Sequence, residues 1–245
     1  MSANAHSTDN AYSFLQLPQP RPGSVVLISG GLDSAIMAGM TLESGEPVFP
    51  LYVRQGFVWE DEELAAVGRF LRSLGNRASK QLLNELSVAT ISAPAKFSVS
   101  WAMKEEDLPP HVDTPDEDVY LPGRNLALLS QASILAYSVG VSRIKLGILH
   151  SNPFPDATEN FFRSFENSVF EAMQWRVRVE TPLASMSKID VIQRGIHFDL
   201  GNTISCARPR DGIHCGLCSK CSERYRAFRK AGLIDPARYA REISD

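Results

Sequence analysis

Ser24-Val-Val-Leu-Ile-Ser-Gly-Gly-Leu-Asp-Ser34 lies near the start of a chain of 245 residues. Its β-branched apolar run breaks into Ser29-Gly30-Gly31 and restarts with Ala35-Ile36-Met37-Ala38, which reads as strand, tight loop, helix. Two adjacent glycines let the backbone turn sharply and approach a ligand, because no Cβ blocks positive φ or close contact. The helix that follows aims its unpaired N–H groups and the positive end of its dipole at the loop. Ser29, Ser34 and those amides together make a cradle for an anion. No Gly-Lys-Ser/Thr follows, so this is not a Walker loop, and the spacing is not G-x-G-x-x-G. The plainer alternative is an ordinary turn with Asp33 or Ser34 as helix cap.

The pyrophosphate of ATP is an anion that fits such a cradle. The rest of the chain is compatible with a soluble enzyme: 44% hydrophobic and 22% charged residues allow a sizeable core. A net charge of −3 argues against a broad phosphate-neutralising surface, so nucleic acid is not the expected partner. The apolar stretch from Leu126 to Val141 is too short and too interrupted by Ser130, Gln131 and Ser133 to span a bilayer. Residues 1–23 read as a flexible tail with no secretory signal, and a cytoplasmic location is expected.

Strands and helices then alternate. Pro47–Val53, Ser87–Ser92, Arg143–Leu149 and Arg176–Glu180 read as strands. Glu60–Leu74, Asn125–Val139, Thr158–Met173 and Lys188–Gly195 carry helical spacing. Gly75-Asn76 is read as a break before a further helix over Lys80–Leu86, and Gly195 as a C-terminal stop. Ala95–Tyr120, rich in proline and acids, reads as a long irregular excursion. The alternation predicts an α/β fold: a parallel sheet with helices on both faces and ligands at the carboxyl edge. The Ser-Gly-Gly loop, Asn152–Asp156 and the Thr181-Pro182 turn should share that edge. Phe161, Phe162, Phe165 and Phe170 read as core rather than a base-stacking stripe. Arg224, Arg226, Arg229 and Lys230 read as a solvated basic face, with RNA contact as the alternative.

All four cysteines fall at the end of the chain: Cys206, then Cys215-Gly-Leu-Cys218-Ser-Lys-Cys221. Two-residue gaps let successive sulfurs converge on one ion, and Cys206 can close a tetrahedron, the pattern of structural Zn2+. Disulfides or free thiols and an iron–sulfur cluster are the other readings. His214 reads as a neighbour, since four sulfurs suffice.

Ser-Gly-Gly-x-Asp-Ser after a first strand resembles the PP-loop of ATP pyrophosphatases. With Leu121-Pro-Gly-Arg-Asn125, Glu180-Thr-Pro-Leu183, Lys188, Thr203-Ile-Ser-Cys206 and the cysteine pattern, the chain resembles the 7-cyano-7-deazaguanine synthases from about Val25 to Phe228. That resemblance implies a Rossmann-like fold of the adenine nucleotide alpha hydrolase type. It also implies a PP-loop domain over residues 24–203, a zinc-binding segment over 204–245, and a homodimer. The implied reaction joins 7-carboxy-7-deazaguanine to ammonia: ATP adenylates the carboxylate, ammonia displaces AMP, and a second adenylation permits dehydration to the nitrile. Ile28 to Ala38, including Leu32, would hold ATP, and the four cysteines the metal. Departing pyrophosphate concentrates charge, so Mg2+ and a cation should gather there. Asp33 is a candidate metal support or a cap, Lys188 a phosphate cation or a solvated lysine. Arg124 and Asn125 are candidates for substrate or nucleotide, or a surface charge and a cap.

The chain departs from the synthases at two places. Tyr52-Val-Arg-Gln-Gly-Phe57 stands where they carry a Tyr-Gly-Gln-Arg-His-like stretch. Asn152-Pro-Phe-Pro-Asp156-Ala-Thr158 stands where they carry a Gly-Tyr-Pro-Asp-Cys-Arg-like substrate loop, keeping Asp156, with Phe154 beside it, but neither the cysteine nor the arginine. An arginine fork is not replaced by Ala or Thr, so recognition should change. Coupling of a similar acid to another amine is therefore an alternative, as are a tRNA-modifying PP-loop enzyme and a non-catalytic nucleotide-binding module.

Overall fold

Alternation within two strands sets the layers. In β1 (Ser24–Leu27) and β2 (Val48–Arg54), Val25, Leu27, Phe49, Leu51 and Val53 point to one face, and Val26, Val48 and Tyr52 to the other. The computed structural model describes residues 16–77, 81–92, 100–111 and 114–243. Its sheet has five parallel strands in the order β3-β2-β1-β4-β5, with β3 (Ser87–Thr90), β4 (Arg143–Lys145) and β5 (Arg178–Glu180) completing it. One face is covered by α1 (Leu32–Glu43), α2 (Glu60–Arg77), α6 (Lys188–Gly195) and α7 (Ser219–Lys230). The other is covered by α4 (Arg124–Val139) and α5 (Glu159–Met173). A short α3 (Ser100–Met103) lies between β3 and α4. The expected Rossmann-like α/β architecture is observed, and the order reverses between β1 and β4, where such sheets open a crevice.

Several local expectations are corrected. The second helix runs through Gly75 and Asn76 to Arg77. The loss of about 1 kcal/mol for a helical glycine is smaller than the gain from burying Leu71 and Leu74. The expected helix at Lys80–Leu86 is absent from its described residues; Lys80 itself lies outside them. Instead Val48 N donates to Leu82 O (2.7 Å) and Asn84 N to Val48 O (2.9 Å), so the segment runs along β2. The fourth strand stops at Lys145, because Gly147 passes against α1: an added Cβ there would sit 3.3 Å from Ser34 N. The fifth strand begins at Arg178 rather than Arg176. Gly195 is not a left-handed stop, since the C-cap is Ile196 in right-handed conformation; a Cβ at Gly195 would meet Ile36 Cγ1 at 2.4 Å, so it lets α6 close on α1.

Of the excursion, residues 95–99, 112 and 113 lie outside the described residues, as do residues 1–15 of the tail. Residues 16–23 lie against the end of α4, where Arg21 N donates to Gly140 O (2.8 Å) and the guanidinium covers Phe49. Phe162 and Phe165 are buried and Phe161 packs against them. Arg226, Arg229 and Lys230 are exposed, but Arg224 is fully buried and ion-paired to Asp235 at 2.9 Å, a correction to the solvated basic face. No helix among the described residues is long and apolar enough to cross a membrane.

Candidate active site

The loop after β1 has the geometry its glycines permit. Ile28 N donates to Leu51 O (2.9 Å), the last sheet bond before the chain turns. Gly30 adopts φ +77°, and a Cβ there would lie 2.8 Å from Glu63 O, so both the turn and the approach to α2 require glycine. Gly31 is the N-cap of α1, with no side-chain cap bond, so the helix dipole faces the loop uncovered. Asp33 and Ser34 therefore do not cap this helix. The Ser34 hydroxyl instead accepts from Ser29 N (3.0 Å) and meets Ser29 Oγ at 3.1 Å. Ile28, Ser29, Gly31, Leu32, Asp33 and Ser34 line a cleft of about 310 Å³. Ala35, Ile36, Met37 and Ala38 are buried in the body of α1 and lie in the core rather than on the cleft.

Lys188 and Asp33 meet in the wall of this cleft. Lys188 Nζ donates to Asp33 Oδ2 (2.8 Å) and pairs with Glu223 Oε1 at 3.0 Å, and Lys220 lies 3.7 Å from Glu223 Oε2. Ser187 starts α6 with a capping box to Asp190, which fixes Lys188 in the first turn. Burial would depress the Lys188 ammonium, but Asp33 and Glu223 outweigh it and hold it above the usual lysine range. Burial likewise pushes Glu223 up, while Lys188 and Lys220 pull it down to about 2. Asp33 Oδ1 is buried and has no hydrogen-bond partner among the described residues.

The opposite wall comes from α4 and the segment before α5. Asn125 N donates to Asp156 Oδ2 (3.0 Å), and Asn125 Nδ2 to Asp156 O (3.1 Å). These two candidates thus hold each other and lock the 152–158 loop onto the start of α4. Arg124 lies over the Phe57 ring at 5.6 Å, and its buried Nε has no hydrogen-bond partner among the described residues. Phe154 packs on Tyr120 with centroids 5.0 Å apart. Of the expected edge segments, the loop and Asn152–Asp156 line the cleft; the Thr181-Pro182 turn does not, although Lys188 beyond it does.

Sequence reasoning missed Tyr52, Glu63, Glu223 and an aromatic rim. Phe57 stacks on Trp59 at 5.0 Å, and Trp59 on Trp101 at 5.6 Å. The changed stretch after Tyr52 was the available signal for the first of these. Trp101 and Glu223 enter from distant segments whose approach no local pattern announces.

Beside the cleft, Cys206, Cys215, Cys218 and Cys221 form a cluster able to hold a metal, their sulfurs all within 4.8 Å of one another. None of the four is joined in a disulfide among the described residues. Amides aim at the sulfurs: Cys215 N at Cys206 Sγ (3.2 Å), Arg208 N at Cys206 Sγ (3.3 Å) and Ala207 N at Cys218 Sγ (3.4 Å). Gly216 makes the knuckle at φ +77°, where a Cβ would strike Arg241 O at 2.3 Å. His214 is turned away, accepting from Ser205 N (3.0 Å) through Nε2. Burial holds its ring neutral, down to about 4. The knuckle touches the cleft directly, since Ile204 N donates to Gly30 O (2.8 Å) and Cys206 lines the cavity.

A family model described as "Queuosine biosynthesis protein QueC" matches residues 23–232. A relative named 7-cyano-7-deazaguanine synthase, from Azoarcus sp. (strain BH72), is 32% identical over 228 residues, covering 89% of this chain and 97% of its own. Another of the same name, from Xanthomonas oryzae pv. oryzae (strain PXO99A), is 33% identical over 233 residues, covering 89% and 97%. A solved structure described as a predicted subunit of tRNA methyltransferase from Methanocaldococcus jannaschii DSM has a TM-score of 0.47 and 15% identity over 90% of this chain and 93% of that one.

Proposed function

The chain belongs to the QueC family of queuosine biosynthesis proteins, and on that premise we propose that it is an ATP-dependent ligase converting 7-carboxy-7-deazaguanine and ammonia to 7-cyano-7-deazaguanine. The observation that carries this reading is the cleft itself: an uncapped helix start, paired serine hydroxyls and the Lys188 ammonium line one cavity. A carboxylate becomes an electrophile only when one oxygen joins a leaving group, here AMP. The loop amides and Lys188 suit the charge that develops as pyrophosphate departs. Arg124, Asn125, Phe154 and Asp156 form the wall assigned to the acid. Their aromatic and cationic character fits a planar heterocycle.

Asp33 Oδ1, buried and unpartnered, fits the role of holding Mg2+, which would neutralise phosphate charge. Structural Zn2+ is assigned to the four cysteines. Sulfur separations of 3.8 Å (Cys215–Cys221) and 3.5 Å (Cys218–Cys221) support it. Tetrahedral Zn–S bonds of about 2.3 Å separate sulfurs by about 3.8 Å. A homodimer working in the cytoplasm completes the reading; sedimentation velocity of the purified chain tests the dimer.

Incubation with ATP, Mg2+, ammonium and 7-carboxy-7-deazaguanine, followed by mass spectrometry, tests the reaction. Nitrile with AMP is expected; absence of acid-dependent AMP would sink it. One observation favours a second reading. The 152–158 loop carries neither the cysteine nor the arginine of the synthases, so the acid or amine can differ. AMP formed only with another amine or acid would select that reading.

A further inference from the structure

Five acids line the cleft among the described residues: Asp33, Glu60, Glu63, Asp156 and Glu223. Four are already committed. Asp33 and Glu223 share Lys188, and Asp156 is bound to Asn125. Glu60 accepts from the backbone amides of Gln55 and Gly56 and lies 3.6 Å from Arg54 Nε. Glu63 differs from them all. It forms no ion pair among the described residues; its partner is a neutral phenol, with Tyr52 Oη donating to Oε2 at 2.8 Å. Its backbone sits against the anion loop, close enough that Gly30 must lack a Cβ.

We propose that Glu63 is the proton acceptor of the carbon–nitrogen chemistry, a role that rests on the ligase reading above. When ammonia attacks the acyl adenylate, the C–N bond forms, the C–O bond to AMP breaks, and the nitrogen gives a proton to the Glu63 carboxylate. In the dehydration, the amide oxygen displaces pyrophosphate from a second ATP, and the O-adenylated amide releases one of its two N–H protons to solvent. Glu63 then takes the remaining N–H proton. That electron pair completes the nitrile while the C–O bond to AMP breaks. Each turn returns the proton to solvent, so the carboxylate is restored.

The surroundings suit a base working near neutrality. Burial is the dominant influence and pushes the carboxyl up to about 7. Arg124 from α4, Lys220 from α7 and the Tyr52 hydrogen bond from β2 pull the other way, and Glu60 on its own helix adds to the rise. Tyr52 itself is held above the usual phenol range by burial and by Glu63, so it stays protonated and keeps donating.

The test uses the full chain, its Glu63→Gln and Glu63→Asp variants, and Tyr52→Phe. Acid-dependent exchange of pyrophosphate into ATP reports the first adenylation; amide and nitrile are followed separately. In Glu63→Gln, exchange should stay within a few-fold of wild type while amide and nitrile formation falls about 10²–10⁴-fold, the usual worth of a positioned base. The wild-type rate should rise with pH through about 7 and Glu63→Gln should lack that limb. Glu63→Asp should recover part of the rate, and Tyr52→Phe should move the limb to higher pH by removing a hydrogen bond to the charged form. Unchanged product formation in Glu63→Gln, or exchange lost in parallel with it, would overturn the role. Wild-type enzyme that shows no acid-dependent exchange would overturn the ligase reading first, and this role with it.

Discussion

The ammonium of Lys188 stands 2.8 Å from Asp33 Oδ2, although 155 residues separate the two in the chain. The contact joins the first turns of α1 and α6, the two helices brought together where Gly195 closes on Ile36. It places a cation and a half-satisfied carboxylate at the mouth of one helix dipole.

Lys188→Ala should therefore lower kcat by about 10²–10³, the cost of losing one donor to developing charge. Asp33→Asn should also be impaired. The double variant should be less impaired than the product of the two single effects, since residues in contact do not act independently. Steady-state kinetics on the three variants measure the coupling, and fully additive losses would count against a shared role.

Gly30→Ala should be costly in two ways at once. Its φ of +77° and the 2.8 Å approach to Glu63 O leave no room for a methyl group. A loss of about 1–3 kcal/mol in folding stability is expected from strain of this kind. Weaker nucleotide binding should accompany it. Urea unfolding and ATP titration calorimetry measure the two separately.

Cys215→Ser with Cys218→Ser should abolish stoichiometric metal. The wild type should carry about one zinc per chain, since four thiolates complete one tetrahedral site. Inductively coupled plasma analysis reads the content, and a lowered Tm in chelator should follow removal from the wild type. Full metal retention in the double variant would defeat the assignment.

Asp235→Ala leaves the Arg224 guanidinium buried without its countercharge. About 3–5 kcal/mol of stability should be lost, as when one partner of a buried pair is removed. Arg224, assisted by Tyr239 and Ala237 N, outweighs burial and holds the Asp235 carboxyl below its ordinary value of 3.8. A depressed folded-state value means stability present above that ordinary value and lost as pH falls through the lower one. Thermal unfolding between neutral and strongly acid pH should thus converge for wild type and variant at the acid end.

The strand–loop–helix at Ser24–Ser34 and the four-cysteine knuckle were legible because each is a local pattern with one geometric reason. The helices at Lys188–Gly195 and Glu159–Met173 followed from helical spacing that lies within the segments themselves. Segment ends were less legible. Gly75 and Gly195 carry the residue type of a stop, but burial of Leu71 and Leu74 carries the helix past Gly75, and Gly195 answers to Ile36, which comes from elsewhere in the chain. Arg224 looked like surface charge because its partner, Asp235, lies beyond the helix and is brought back by a turn. The glutamates of the cleft were hidden for the same reason: Glu60 and Glu63 share one helical turn, and only tertiary neighbours make one a loop anchor and leave the other available.

The bond from Ile204 N to Gly30 O joins the segment leading into the cysteine knuckle to the glycine turn at the sheet edge. With the proposed zinc in that knuckle, stripping the ion should register first as a loss of grip on nucleotide, at temperatures where the sheet is still intact. Turnover of the purified chain should then fall with chelation well before its melting point is reached.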